Sequence, residues 1–360
     1  MARTVVPFGP QHPVLPEPLQ LQLVLEDEKV VDAIPTLGYV HRGLEKGAEF
    51  NDFNQNVFLV ERVCGICSII HAWTYSSCIE QLLNVEVPPR AQYLRVVFAE
   101  LSRMHSHLLW LGLYADAFGL ESLFMQFWRI RERVLDLEEM GSGNRIILSN
   151  CIVGGMRRDI DDDLRKEILK QLEEVRKEYL QVMPAILNDY TVNHRTRGVG
   201  VLSKEDAYDQ GAVGPVLRAS GIASDARLLG YGPYKELGFE PVVEKDGDCY
   251  ARGVVRAREV LQSMEIIKNA LEKMPEGEIA AKVKATAKVD GEAFARQEQP
   301  RGEVLYYVRG KNDKILDRIR IRTPTFANIP PLLKMLPGCD LADVPVIVLA
   351  IDPCISCTER

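Results

Sequence analysis

The strongest regularity in the chain is an alternation of three- and four-residue steps between apolar positions. Leu94, Val97, Leu101, Met104, Leu108, Leu111 and Ala115 follow it without interruption, which lays one apolar stripe along a buried helix. Pro88-Pro89 marks where that helix restarts the chain. Residues 119–138 carry a second helical pattern. A third opens near Asp159, where Asp159, Asp161, Asp162 and Asp163 complement the positive end of a helix dipole, and it continues through Leu164, Ile168, Leu172, Val175 and Tyr179. A fourth covers roughly 251–274, with Val260, Met264, Ile267 and Leu271 inside. Long helices of this kind pack as a bundle.

Toward both ends the period changes. Leu19, Leu21, Leu23 and Leu25 alternate with Gln20, Gln22 and Val24, the pattern of a half-buried strand. The run Glu26-Asp27-Glu28-Lys29 then turns into a second strand over 30–34, so residues 1–35 read as extended. Residues 303–323 read as a hairpin with Gly310-Lys311-Asn312-Asp313 as its turn, and the glycine-rich stretch 195–247 as loops with short elements. The predicted class is mainly α (α+β), a long-helix bundle core with small β appendages at the N-terminus and near the C-terminus. It forms one domain over 1–360: a β segment at 1–49, the bundle at 50–280, and a hairpin with a metal-binding segment at 281–360.

Composition narrows the partners. The 44 basic and 51 acidic residues give 44 − 51 = −7, which argues against nucleic acid, since phosphate neutralisation needs a basic face. No apolar core of a secretory signal is visible at the N-terminus. The longest apolar run near the C-terminus, Val344 to Ile351, is far below the ~20 residues that cross a bilayer. The expectation is a chain with no transmembrane segment of its own.

Candidate chemistry concentrates in the cysteines. Cys64-Gly65-Ile66-Cys67 and Cys354-Ile355-Ser356-Cys357 are two Cys-x-x-Cys pairs; Cys78 is too far along a straight helix from Cys67 to join the same site, and Cys151, Cys249 and Cys339 are scattered and read as buried thiols. Three residues is about one helical turn, so each pair can offer two sulfurs to one metal. His71, four residues after Cys67, is placed to hydrogen-bond a thiolate. On spacing alone a structural zinc site, a redox pair and buried apolar thiols all remain open. Against zinc stand the distance between the pairs along the chain and the place of the second pair at its very end.

At this point the residues resemble a known family. Arg62-Val63-Cys64-Gly65-Ile66-Cys67 and Asp352-Pro353-Cys354-Ile355-Ser356-Cys357-Thr358 are similar to the two cysteine signatures of nickel–iron hydrogenase large subunits. Gly9-Pro10-Gln11-His12-Pro13, His41-Arg42-Gly43-Leu44-Glu45-Lys46, Pro88-Pro89-Arg90-Ala91-Gln92-Tyr93, Glu100-Leu101-Ser102-Arg103 and Pro300-Arg301-Gly302-Glu303 resemble the energy-converting, membrane-bound (Ech-type) branch and its relative, the 49-kDa subunit of respiratory complex I. The resemblance spans the whole chain, and the end at Arg360, three residues past Cys357, resembles a processed C-terminus.

The resemblance implies an NiFe(CO)(CN)2 centre of Ni2+ and Fe2+, with Cys64 and Cys354 as terminal nickel ligands and Cys67 and Cys357 as bridges. It implies heterolytic cleavage of hydrogen with Cys354 as the base, Glu17 as the first proton-relay carboxylate, and Arg301 over the open coordination position with Asp116 as its candidate partner. Glu45 matches a residue that helps hold a Mg2+ near the C-terminus, although Arg360 stands where the family has His and could pair with Glu45 instead. His12 reads as a remnant of a quinone region, and His105 and His107 as structural. The implied activity is reversible reduction of protons to H2 with electrons from reduced ferredoxin. The implied partners are a small subunit with a 4Fe–4S cluster, a ferredoxin-like Fe–S subunit and integral membrane ion-translocating subunits, at the cytoplasmic face of the membrane. The alternatives are a complex-I-like quinone-site subunit, a branch that lacks the four cysteines, and a zinc-stabilised scaffold.

Overall fold

The computed structural model describes residues 3–284 and 286–360; residues 1 and 2 of the expected N-terminal β segment and residue 285 of the C-terminal segment lie outside the described residues. The chain is mainly helical with small sheets at the places the periodicity marks. β1 (Arg3–Phe8), β2 (Gln20–Glu26) and β3 (Lys29–Thr36) form an antiparallel sheet in that order. Leu19, Leu21, Leu23 and Leu25 are buried on its inner face.

Three helices, α1 (Leu44–Ala48), α2 (Gln55–Glu61) and α3 (Ser68–Leu83), lead into α4 (Pro89–Asp116) and α5 (Glu121–Ser142). Pro89 occupies the first turn of α4, where its missing N–H costs nothing. The apolar stripe of α4 is buried as expected, but so are Arg95, Glu100, Arg103, His105 and His107 on its other faces. The cause is position: α4 packs against α5 on one side and the long helix Cys249–Lys273 on another, so no face remains for water.

A two-stranded hairpin of β4 (Cys151–Ile152) and β5 (Gly155–Met156) precedes α6 (Asp162–Leu187). Asp161 caps α6 by accepting from the Leu164 N–H at 2.8 Å, so the acidic run marks the helix start within three residues. The short helices α7 (Tyr190–Thr196), α8 (Lys204–Asp209) and α9 (Gly214–Ala219) follow, then α10 (Cys249–Lys273).

The C-terminal sheet departs from the sequence expectation. β6 (Val289–Gln299), β7 (Gly302–Asp313) and β8 (Arg318–Arg322) form an antiparallel sheet, so Gly310-Lys311-Asn312-Asp313 lies within β7 and the turn comes after it. Gly310 is there for another reason: a Cβ on it would meet the Val289 carbonyl oxygen at 2.4 Å, where the β6–β7 register shifts. α11 (Pro324–Met335), α12 (Val344–Ala350) and α13 (Ile355–Glu359) close the chain. No helix of the described residues is long and apolar enough to cross a membrane.

Candidate metal centre

The two cysteine pairs meet, although 290 residues separate their members. Cys64 lies in a non-helical turn after α2, and Cys67 is the N-cap of α3. The pair is therefore presented by a bend, and not by one helical turn as spacing suggested. Cys354 is the N-cap of α13, with its Sγ accepting from the Cys357 N–H at 3.4 Å. Asp352, at φ 56°, turns the chain from α12 into this segment; aspartate is among the few residues that tolerate that region.

Cys64 Sγ and Cys354 Sγ are 3.5 Å apart, and Cys67 Sγ and Cys357 Sγ 3.8 Å. The sulfurs of Cys64, Cys354 and Cys357 lie within 4.8 Å of one another, as do the ligand atoms of Cys67, His71 and Cys357. All four thiols are buried. Burial pushes the thiols of Cys67 and Cys357 up, whereas hydrogen bonds from Cys354, Cys357 and Cys67 hold Cys64 down. Four buried sulfurs this close together are a donor set suited to a soft cation, whose charge would favour their thiolate forms.

Arg42 ties the two pairs together from outside. Its guanidinium donates to the carbonyls of Arg62 and Val63 at 2.7 and 2.9 Å and to that of Ser356 at 3.2 Å. The Glu359 carboxylate accepts from the Gly38 and Val40 N–H groups at 2.5 Å each, fixing the terminal helix to the same segment.

The expected neighbours fall into place unevenly. His71 Nε2 is 3.5 Å from Cys357 Sγ, and its Nδ1 is 2.7 Å from the Tyr306 hydroxyl. Burial pushes the imidazole down to about 4, so the ring is a neutral imidazole with a single N–H between Tyr306 on one side and Cys357 on the other. The Glu17 carboxylate accepts from the N–H groups of Ile355 and Ser356, the latter at 3.0 Å, and from the Ser356 hydroxyl. Glu17, Cys64, Cys354, Arg301 and Asp352 line one cavity of about 270 Å3, with Leu109, Leu113 and Trp128 on its apolar wall.

Arg301 does not pair with Asp116. It pairs with Asp352, Nη2 to Oδ1 at 2.9 Å, and its Nε donates to the Asp352 carbonyl at 2.9 Å. Asp116, the last residue of α4, is exposed, whereas Arg301 and its partner Asp352 are buried. Arg301 Nη1 and Asp352 Oδ2 are buried without a protein partner. The turn holding Arg301 is set by backbone contact. A Cβ on Gly214, at φ +66°, would meet the Arg301 carbonyl oxygen at 2.3 Å, so α9 docks on the Arg301–Gly302 peptide only through a glycine.

The Mg2+ expected at Glu45 does not fit. Glu45 Oε1 accepts from the Ile321 N–H at 2.9 Å and from Arg360 Nε at 3.1 Å, while Oε2 takes Arg320 at 2.6 Å. Two guanidinium groups already neutralise that carboxylate, and no third acidic or imidazole ligand joins it among the described residues. His12 packs against Phe8 and accepts from the Val14 N–H. His105 pairs with Glu138 and Arg131, and His107 with Glu259 at 2.9 Å. Cys78, Cys151 and Cys249 are buried and Cys339 is half-buried.

Sequence reasoning missed Asp352, Tyr306, Ser356 and Arg42 as contributors. Asp352 and Ser356 stood inside the second cysteine signature, and Arg42 inside His-Arg-Gly-Leu-Glu-Lys, so position within a motif was their signal. Tyr306 had none beyond alternation on a strand.

Comparison with known proteins bears on both halves of the chain. Residues 117–290 and 282–360 match the family "Respiratory-chain NADH dehydrogenase, 49 Kd subunit", and residues 42–115 match "Nickel-dependent hydrogenase". The chain is 40% identical to the membrane-bound hydrogenase subunit alpha of Pyrococcus furiosus, over 99% of this chain and 87% of that protein. It is 39% identical to the carbon monoxide-induced hydrogenase of Rhodospirillum rubrum, over the full length of both. The fold superposes with a TM-score of 0.94 and 32% identity on a chain of the membrane-bound sulfane sulfur reductase, an archaeal respiratory membrane complex, covering 99% of this chain and 98% of that one.

Proposed function

The chain belongs to the family of membrane-bound nickel–iron hydrogenase large subunits and respiratory 49-kDa subunits, and within it we propose that this protein is the catalytic subunit of an energy-converting hydrogenase. The observation that carries the reading is the convergence of Cys64 with Cys354 and of Cys67 with Cys357. The four thiols fit a nickel–iron group, and the two unpartnered atoms beside them, Arg301 Nη1 and Asp352 Oδ2, fit a small ligand held there. When bound, that group would supply two-electron chemistry at soft metals, nickel and an iron carrying one CO and two cyanides.

The protein's own residues handle charge and protons. Cys354 Sγ is the base that receives the proton of cleaved hydrogen, or gives it up in the reverse direction. Glu17, bonded to the residues that follow Cys354 and lining the same cavity, passes that proton outward. Arg301 holds a fixed positive group at the cavity wall, kept in place by Asp352. His71 donates to Cys357 and tunes it, with Tyr306 fixing its tautomer.

No further Cys-x-x-Cys pair remains for an Fe–S cluster once these four are assigned. Electrons then come from a partner small subunit with a 4Fe–4S cluster, fed by a ferredoxin-like subunit and reduced ferredoxin. Ion translocation belongs to integral membrane partners, with this subunit peripheral on the cytoplasmic face.

Elemental analysis of the purified complex tests the reading: nickel together with iron is expected, zinc alone sinks it, and no metal points to the quinone-site alternative. Cys354→Ala is expected to abolish H2 production while the helical core still folds; retained wild-type activity refutes the assignment. Glu17→Gln is expected to slow proton exchange far more than it lowers metal content, and equal loss of both would make Glu17 structural.

A further inference from the structure

The cavity over the thiols has two unlike lips above a buried floor of Cys64, Cys354, Arg301 and Asp352. One lip is polar, Glu17 hydrogen-bonded to Ser356. The other is apolar and half-buried: Leu109 and Leu113 on α4 and Trp128 on α5. A proton needs the polar lip, whereas an uncharged apolar molecule crosses the other without losing hydrogen bonds.

Trp128 is the bulkiest group on the apolar lip, and three contacts fix it there. Its seat is Gly112 on α4. A Cβ on Gly112 would meet the indole Cδ1 at 2.5 Å and Nε1 at 2.7 Å, so the ring lies directly on the helix. The seat leaves Nε1 buried with no hydrogen-bond partner, a cost that a phenylalanine would avoid and that the larger ring incurs. Phe124, one turn earlier on α5, packs on the indole with ring centroids 4.9 Å apart. On the other side the Arg131 guanidinium lies 5.2 Å from the ring centroid.

Arg131 is braced in turn. Its Nη2 is 2.8 Å from His105 Nε2, and His105 Nδ1 is 3.3 Å from the Glu138 carboxylate. An arginine only donates, so His105 Nε2 accepts and its Nδ1–H donates to Glu138. The three groups are buried, they cross from α5 to α4 and back, and no step of the proposed reaction uses them. Their arrangement is a strut that holds Arg131 against the indole.

We propose that Trp128 is the specificity-determining residue of this cavity, setting the size of the ligand that reaches the thiols, with Gly112 as its seat and Arg131, His105 and Glu138 as its brace. Small linear molecules pass beside the indole and branched ones are held off. The proposal rests on the reading of the four thiols as a nickel–iron centre and adds to it which residue filters access.

Isocyanides of different bulk test it, because they bind soft metals as carbon monoxide does and carry an infrared band of their own. Isotope-labelled methyl isocyanide and tert-butyl isocyanide are mixed with the intact complex and the growth of each band is timed. In the wild type the methyl compound is expected to bind about tenfold faster or more. In Trp128→Ala the tert-butyl rate is expected to rise by about tenfold, so that the two converge. Arg131→Met is expected to raise it less, since the ring is loosened and not removed. Should Trp128→Ala fail to assemble, Trp128→Phe carries the test with a smaller rise in the same direction. A tert-butyl compound that binds the wild type as fast as the methyl one, or that gains nothing when Trp128 is shortened, overturns the proposal. Either result, seen together with intrinsic metal-bound CO and cyanide bands, leaves the hydrogenase reading intact. Absence of those intrinsic bands from the wild type overturns that reading and the filter with it.

Discussion

Two polar regions share the interior of this protein, and they are satisfied to different degrees. Beside the thiols, Arg301 Nη1 and Asp352 Oδ2 are buried with no protein partner. In the cluster of Arg103, Arg218 and Arg227, each guanidinium is tied to at least one carboxylate. Unpaired buried groups cost free energy and persist where a ligand completes them. Paired ones lock elements together and tolerate no ligand. The difference separates a site built to bind from a site built to hold charge.

Removing one partner from the saturated region is the largest perturbation. Arg218→Ala strands Glu298, 2.8 Å away, and leaves Asp225 and Glu259 with Arg227 alone among the arginines, so a loss of ~3–5 kcal/mol in unfolding free energy is expected from denaturant titration. A loss below about 1 kcal/mol would mean that the cluster is wet, and the contrast with the thiol region would go.

A smaller effect is expected at Glu61, three residues before Cys64. Burial pushes its carboxyl up to about 7, above the ordinary unfolded range near 4. The folded state therefore holds a proton that the unfolded state has released. Stability from this group is full below about pH 4, falls as pH rises through 7, and is lost above, a change on the order of 3–4 kcal/mol. Glu61→Gln is expected to flatten that slope in thermal melts taken across the range; an unchanged slope would place its origin elsewhere.

The smallest effect belongs to the half-exposed pairs at Glu45. Arg360→Ala is expected to cost about 1 kcal/mol or less. Chelator treatment of the wild type is expected to leave the melting temperature where it was, because arginines already occupy the carboxylate. A chelator-sensitive wild type would restore the divalent cation that the geometry excludes.

Much of this was readable along the chain. The 3-4 stripe located α4, the acidic run and Asp161 located the start of α6, and Leu19 to Leu25 located β2, because local periodicity reflects which face is buried. The cysteines and Arg301 were visible as motifs, and so was the pairing of Arg360 with Glu45. The hairpin turn was misplaced because Gly310 answers to a close backbone neighbour on β6, which no local pattern records. Asp116 was a plausible partner for Arg301 by residue type, but it lies exposed at the end of α4 while Arg301 is buried against Asp352.

By itself the sequence determined the helices, the class of fold and which thiols a soft metal would favour, since propensity, spacing and thiolate softness are properties of residues and their near neighbours. Only the tertiary structure decided which distant groups meet. Cys64 with Cys354, Arg301 with Asp352, and Arg218 with Glu298 are contacts between segments far apart in the chain. Their energies come from burial and charge balance in a shared interior, and those quantities exist only once the segments have packed.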